Sequence, residues 1–182
     1  MKPSPLVLDY IQRCLTYDPM TGIVYRKGKP IGTPRKGTKG THMTMQLNLD
    51  TSYQGCRLSY TTYTHQVAWY LYYGEWPTQF LDHIDGNGSN NALTNLRLAT
   101  YTENSRNSRK RKSRATSQYK GVMCRDSRYR AFITHEGKQL SLGTYSTEED
   151  AALAYNTKAT QLFGQYACLN VLTVKAKQLV VA

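Results

Sequence analysis

Apolar positions recur along the chain with two periods, and those periods mark out its elements. Between Leu6 and Leu15 the residues Val7, Leu8, Ile11, Cys14 and Leu15 fall on one helical face, with Pro5 suited to the first turn. Tyr17-Asp18-Pro19-Met20-Thr21-Gly22 is a turn by composition, and Ile23-Val24-Tyr25 is a short strand. Residues 26–41 are rich in Gly, Pro and Lys and read as a loop or flexible arm. Met43–Leu49 and Cys56–Tyr63 alternate, as antiparallel strands do. A helix follows over His65–Tyr73, with Thr64 as its cap, Val67, Ala68 and Leu71 as its buried stripe, and Gly74 as its stop.

The second half repeats the alternation. Strands are expected at about Tyr119–Arg125, Arg128–Thr134 and Gln139–Tyr145, then a helix capped by Ser146 or Thr147 and ended by Gly164. Ala152, Tyr155, Ala159 and Leu162 lie on one face of that helix. Val122, Ala131, Ile133, Leu140 and Leu142 form the matching sheet face. The opposite face then displays Met123, Arg125, Arg128, Arg130, Gln139 and Ser141. Such a face is either an ordinary solvated surface or a reader of a nucleic-acid groove.

Charge favours a polyanionic partner. The 182 residues carry a formal net charge of +12. The segment 105–114 holds six basic residues and no acidic ones, whereas 61–104 holds one basic and four acidic. Lysines and arginines flanking a neutral-to-acidic segment suit phosphate binding beside a cation site. Arg109, Lys110, Arg111 and Lys112 belong to that basic run, which reads as a linker that grips phosphates. The cysteines, at 14, 56, 124 and 168, form no Cys-x-x-Cys pair, so no zinc site is expected. No run of eighteen apolar residues occurs and no signal-peptide pattern opens the chain, so the expectation is a cytoplasmic protein with no membrane association.

The chemistry-bearing stretch is Leu81-Asp82-His83-Ile84-Asp85-Gly86-Asn87, continuing to Asn104. It reads as strand, loop, strand, helix. Hydrolysis of a phosphodiester requires an activated water, charge neutralisation and a stabilised leaving oxygen. His83 is suited to act as the base. Asp82 and the amide oxygen of Asn104 offer hard oxygen ligands to a divalent cation. Asn95 could hydrogen-bond the ring nitrogen not facing water. Each has a plainer reading as a turn, loop or packing residue. Asp85, Asn87, Asn90 and Asn91 read as turn-formers, and His65 as packing near the site. Adjacent strand residues point to opposite faces, so Asp82 and His83 serve one phosphate only if the strand ends or bends there.

Asp82-His83-Ile84-Asp85-Gly86-Asn87, Asn90-Asn91, Asn95-Leu96-Arg97 and Glu103-Asn104 resemble the HNH endonucleases of the phage and homing branch. Tyr17-Asp18-Pro19-Met20-Thr21-Gly22 and His65-Gln66-Val67-Ala68-Trp69 are similar to segments that precede the motif in that branch. The resemblance covers about residues 8–107. It implies a ββα-metal fold, with Asp82 and Asn104 on the metal, His83 as general base and Asn95 orienting it. Asn104 stands where the family often has histidine, which favours Mg²⁺ or Mn²⁺.

Ser117-Gln118-Tyr119-Lys120-Gly121-Val122, Leu142-Gly143-Thr144-Tyr145, Glu149–Tyr155 and Leu169-Asn170 resemble the Apetala-type (ethylene-response-factor) DNA-binding domain. That resemblance implies Lys120, Arg125, Gln139 and Ser141 facing DNA, Arg130 nearby and Tyr155 at a phosphate. Ser141 replaces a usual tryptophan and Met123 a usual arginine, so the family's target sequence does not carry over.

The expectation is an α+β protein. It has a nuclease domain with an N-terminal sheet and loop arm over 1–104, a basic linker over 105–116, and a three-stranded antiparallel sheet packed on one helix over 117–182. Its partner is double-stranded DNA and its activity metal-dependent, homing-like cleavage. The rival is a non-catalytic, sequence-specific DNA-binding regulator with a vestigial nuclease domain.

Overall fold

A computed structural model describes residues 2–36, 43–109 and 116–172. The chain divides into two compact units, Met1–Asn104 and Ser105–Ala182.

The first unit opens with helix α1 (Pro5–Cys14). Ser4 caps it by accepting from the Val7 backbone N–H, and Pro5 sits in its first turn, where a missing N–H costs nothing. Strands β1 (Leu15–Asp18), β2 (Ile23–Arg26) and β3 (Lys29–Ile31) form an antiparallel meander in that order. A second meander consists of β4 (Thr33–Lys36), β5 (Met43–Tyr53) and β6 (Cys56–Tyr63). Helix α2 (Thr64–Tyr73) follows and ends at Gly74, whose φ of 74° is the left-handed cap conformation. Strands β7 (Phe80–His83) and β8 (Leu96–Ala99) pair antiparallel, and helix α3 (Tyr101–Arg106) closes the run.

One core holds these pieces together. Val7, Tyr10 and Ile11 of α1, Leu15 and Val24 of the first sheet, Leu47, Leu49 and Leu58 of the second, and Val67 and Ala68 of α2 share it. Leu96 of β8 enters the same cluster. The strand pair carrying Asp82 and His83 is therefore anchored by the apolar side chain directly opposite His83.

Two expectations for this unit need correction. Much of 26–41 is strand: Lys29–Ile31 and Thr33–Lys36 both pair. Pro30 and Pro34 lie on edge strands, where a missing N–H is tolerated, so composition concealed the pairing. Residues 37–42 lie outside the described residues. Thr64 does not cap α2; Tyr63 occupies the cap position, and the Thr64 hydroxyl is buried without a hydrogen-bond partner.

In the second unit β9 (Val122–Arg125), β10 (Arg128–His135) and β11 (Lys138–Tyr145) form an antiparallel sheet with β10 central. Helix α4 (Glu148–Phe163) packs on it through Ala151, Ala152, Tyr155, Ala159 and Phe163. Thr147 and Asp150 form a reciprocal cap, the Asp150 N–H donating to Thr147 Oγ1 at 3.1 Å and the Thr147 hydroxyl to Asp150 Oδ2 at 2.6 Å. A register shift between Ala131 and Phe132 bulges β11 at Leu142. Leu140, expected inside, is 38% exposed.

Gly121 makes the closest approach in this unit. Its φ is +72°, and a β-carbon there would fall 2.0 Å from the Tyr155 ring and 2.6 Å from the Phe132 carbonyl. Gly121→Ala thus combines left-handed strain with overpacking against the sheet's own backbone. It is expected to destabilise this unit by about 3 kcal/mol or more. Urea unfolding followed by near-ultraviolet circular dichroism measures the loss.

Candidate active site

The stretch 80–104 is built around a loop of short polar residues that close on one another. Asp85 accepts from the Asn87 backbone N–H at 2.7 Å, from Asn90 Nδ2 at 2.8 Å and from Asn95 Nδ2 at 3.0 Å. Asn95 also donates to the Asn90 carbonyl at 2.8 Å, and its Oδ1 accepts from the Asp85 N–H at 3.0 Å. Its backbone carbonyl accepts from Ile84 N–H at 2.9 Å. Asn95 is buried, and these bonds use both ends of its amide.

The Asn95 amide, expected behind the histidine ring, therefore ties the loop to itself. The residue that meets His83 is Asn91: His83 Nε2 lies 3.0 Å from Asn91 Oδ1, and both residues are buried. An amide oxygen only accepts, so the tautomer of a neutral ring that fits this contact has the proton on Nε2 and the lone pair on Nδ1. That tautomer makes Nδ1 the basic atom. By sequence Asn91 reads as a turn-former, and the spacing of four nearby asparagines does not say which one turns inward.

Asn91 is in turn held from beneath. Tyr17 donates its hydroxyl to the Asn91 carbonyl at 2.7 Å, and Leu93 N–H donates to the Pro19 carbonyl at 2.9 Å. Gly22 is pressed so close that a β-carbon would lie 2.3 Å from the Ala92 nitrogen. Burial pushes the Tyr17 phenol up to about 12, so it stays a proton donor. The turn Tyr17–Gly22 is the seat of the loop that aims the histidine.

Asp82 is 4% exposed, and Arg97, directly across the ladder, grips its Oδ2 with Nε at 2.9 Å and Nη2 at 2.6 Å. A buried carboxylate needs such a partner. Strand β7 ends at His83, where the Gly86 N–H turns back onto the His83 carbonyl at 2.8 Å. Asp82 and His83 both still pair in the ladder, with Arg97 and Leu96, so the strand ends after the two residues and not between them. Asn104 lies half-buried on α3, its backbone N–H bonded to the Thr100 carbonyl at 3.0 Å.

His65 stands beside the histidine: the two rings are 5.0 Å apart at 84°. Its Nδ1 is buried without a hydrogen-bond partner. Burial, and secondarily the neighbouring His83, push its value down to about 3, so His65 remains neutral.

The two residues expected to hold a metal, Asp82 and Asn104, both carry hard oxygen donors. Among the described residues no group of three or more His, Cys, Asp or Glu side chains is placed to hold a metal. Asp82 and Asn104 offer a carboxylate and an amide, which leaves other positions to water and phosphate, as Mg²⁺ commonly takes them. Cys14, Cys56, Cys124 and Cys168 are free thiols.

In the second unit, Arg125, Arg130, Gln139 and Ser141 are exposed, and cross-strand pairing places them on one sheet face with Met123 and Thr144. Two residues expected at DNA lie elsewhere. Tyr155 is 3% exposed, packed in the core against Gly121, and burial raises its phenol. Lys120 donates its ammonium to the carbonyls of Arg106 and Ser108, both at 2.7 Å, and burial lowers its value. Arg109 is exposed; Lys110, Arg111 and Lys112 lie outside the described residues. Among the described residues no helix is long and apolar enough to cross a membrane.

The HNH endonuclease family profile matches residues 62–106, the stretch from the end of β6 through α3. A protein of Acanthamoeba polyphaga mimivirus described as an uncharacterized HNH endonuclease is 39% identical over 92 residues, 50% of this chain and 46% of its own length. Protein 3.8 of Escherichia phage T7 is 43% identical over 90 residues, 48% of this chain and 73% of its own. The chain thus spans about half the length of the mimivirus relative.

The loop supplies a test by pH. Burial alone raises the Asp85 carboxyl, but the hydrogen bonds from Asn87, Asn90 and Asn95, with the charge of His83, outweigh it and hold the group below the ordinary 3.8. A depressed folded value contributes stability above the unfolded value and loses it as pH falls through the folded one. The stability gap between wild type and Asp85→Asn is therefore expected to be full well above 3.8 and to close below it. Urea titrations across that range measure it.

Proposed function

Because the chain belongs to the HNH endonuclease family, we propose that it is a homing-like, metal-dependent DNA endonuclease whose general base is His83. The observation that carries this reading is the hydrogen bond from His83 Nε2 to Asn91. It presets the tautomer in which Nδ1 takes a proton from the attacking water. Asn95 and Asp85 hold the loop closed, and Tyr17 holds Asn91 in place.

HNH nucleases generally use a divalent metal. Here Asp82 and Asn104 would hold Mg²⁺ or Mn²⁺. When bound, the metal neutralises phosphate charge and stabilises the leaving oxygen. Arg97 holds the Asp82 carboxylate in place through two short contacts to one oxygen, and its guanidinium is suited to a phosphate oxygen as well.

The sheet face of Arg125, Arg130, Gln139 and Ser141 would read the duplex, consistent with the Apetala-type resemblance. Arg109 and the basic residues Lys110, Arg111 and Lys112 would hold phosphates. Tyr155 and Lys120 serve the fold of the unit in this reading and not the DNA. A second reading, a DNA-binding regulator with a vestigial nuclease domain, draws support from the grip of Arg97 on the one carboxylate a metal would need.

Plasmid cleavage separates the two. The wild type is expected to cut with Mg²⁺ and to stop on chelation. His83→Ala is expected to fall by about a hundredfold or more. Asn91→Ala is expected to fall by about tenfold or more, as orienting residues do. Metal-independent binding without cutting by the wild type would establish the regulator instead. Converting Arg109, Lys110, Arg111 and Lys112 to glutamine is expected to reduce the slope of log affinity against log salt, by about one for each phosphate left without its cation. Fluorescence anisotropy on duplex DNA at several salt concentrations reads that slope.

A further inference from the structure

Strand β7 is buried at Leu81, Asp82 and His83 but opens with an exposed ring: Phe80 is 56% exposed. Tyr101, at the start of α3, is 75% exposed. The two rings meet each other at 6.1 Å and 62°. Two large aromatics paired in solvent leave apolar surface uncovered, and the core does not account for them.

Their place in the fold says what they face. Phe80 and Asp82 are two apart on one strand and share a face; the ladder adds their partners Ala99 and Arg97 to it. Tyr101 and Asn104 are three apart on α3 and share a helix face. The touching rings thus join the strand face of Asp82 and Arg97, on which Phe80 lies, to the helix face of Asn104, on which Tyr101 lies. Two strand residues span about 7 Å. A phosphodiester held at Asp82 therefore brings the adjoining sugar and base over Phe80 and Tyr101.

We infer that Phe80 and Tyr101 form an aromatic platform that contacts the nucleotide flanking the scissile phosphate. Every base has a π-face, so such a platform grips DNA whatever its sequence. Rings of this kind also pack against an unstacked step in a minor groove. They are substrate-contacting residues; neither takes part in proton transfer. The inference rests on the nuclease site assigned above.

The test uses the full chain. Wild-type cleavage sites are mapped on plasmid DNA, and duplexes are made with 2-aminopurine on either side of a mapped cut. The double variant Phe80→Ala, Tyr101→Ala is expected to lose about tenfold or more in kcat/KM. The ring-retaining variants Phe80→Tyr and Tyr101→Phe are expected to remain within about threefold of wild type. Binding of the wild type should change the 2-aminopurine fluorescence, and the double variant should not reproduce that change. Because both side chains are exposed, unchanged thermal unfolding is expected and shows that folding is not the cause.

A wild type that cuts alongside a double variant that cuts equally well, with the same fluorescence change, overturns the platform and leaves the site assignment standing. Conversion of a dimer to a monomer by the double variant, with the fluorescence change retained, overturns it in favour of a self-association surface. A wild type no more active than His83→Ala overturns the site assignment and the platform with it.

Discussion

The hydrogen bond between His83 and Asn91 is the constraint on which the candidate site depends. A free imidazole samples two tautomers and many ring orientations. One amide oxygen at 3.0 Å removes most of that freedom by requiring a proton on Nε2. The bond is only as good as the position of Asn91, and Asn91 sits in a loop with little apolar content. Its place is set by polar closure between Asp85, Asn90 and Asn95 on one side and by the Tyr17 hydroxyl on the other. Leu96 then ties the strand behind the histidine to the main core, so a loop of hydrogen bonds is mounted on a hydrophobic base.

Much of this was legible in the residues. Periodicity located α1, α2 and α4, the long strands β5 and β6 and the three strands of the second half, because each buries one face and the pattern of burial is written in the alternation. Pro30 and Pro34 hid two strands because edge pairing tolerates a residue that composition assigns to loops. The roles of Asn91 and Asn95 could not be separated by spacing. Both are buried amides in one loop, and the direction of each depends on loop closure, which is a three-dimensional property. The contribution of Tyr17 and Gly22 was visible as a turn motif and as a segment resembling those that precede the site in the HNH branch, with no indication of what it supports.

The second unit shows two lines of inference in conflict at one residue. Tyr155 falls on the inward face of α4 by helical period, yet family resemblance points it at a phosphate. Burial follows the period: Gly121 gives up its side chain so that the ring can lie against the sheet. Lys120 is a parallel case. Its position at the entry to β9 is open by sequence, and two backbone carbonyls claim the ammonium. Arg125, Arg130, Gln139 and Ser141 stay at the surface, since three strands on one helix leave their face uncovered.

The seat beneath Asn91 bears on how small a fragment can keep the candidate site intact. The family profile spans 62–106, and that segment contains both strands, the loop and the helix of the site. Yet Tyr17, Pro19 and Gly22 belong to the N-terminal meander, far upstream of the loop they support. A fragment excised at the profile's edges would keep every residue that faces the chemistry and lose the floor on which the aiming residue rests. A fragment that keeps the loop's support reaches back at least to β1.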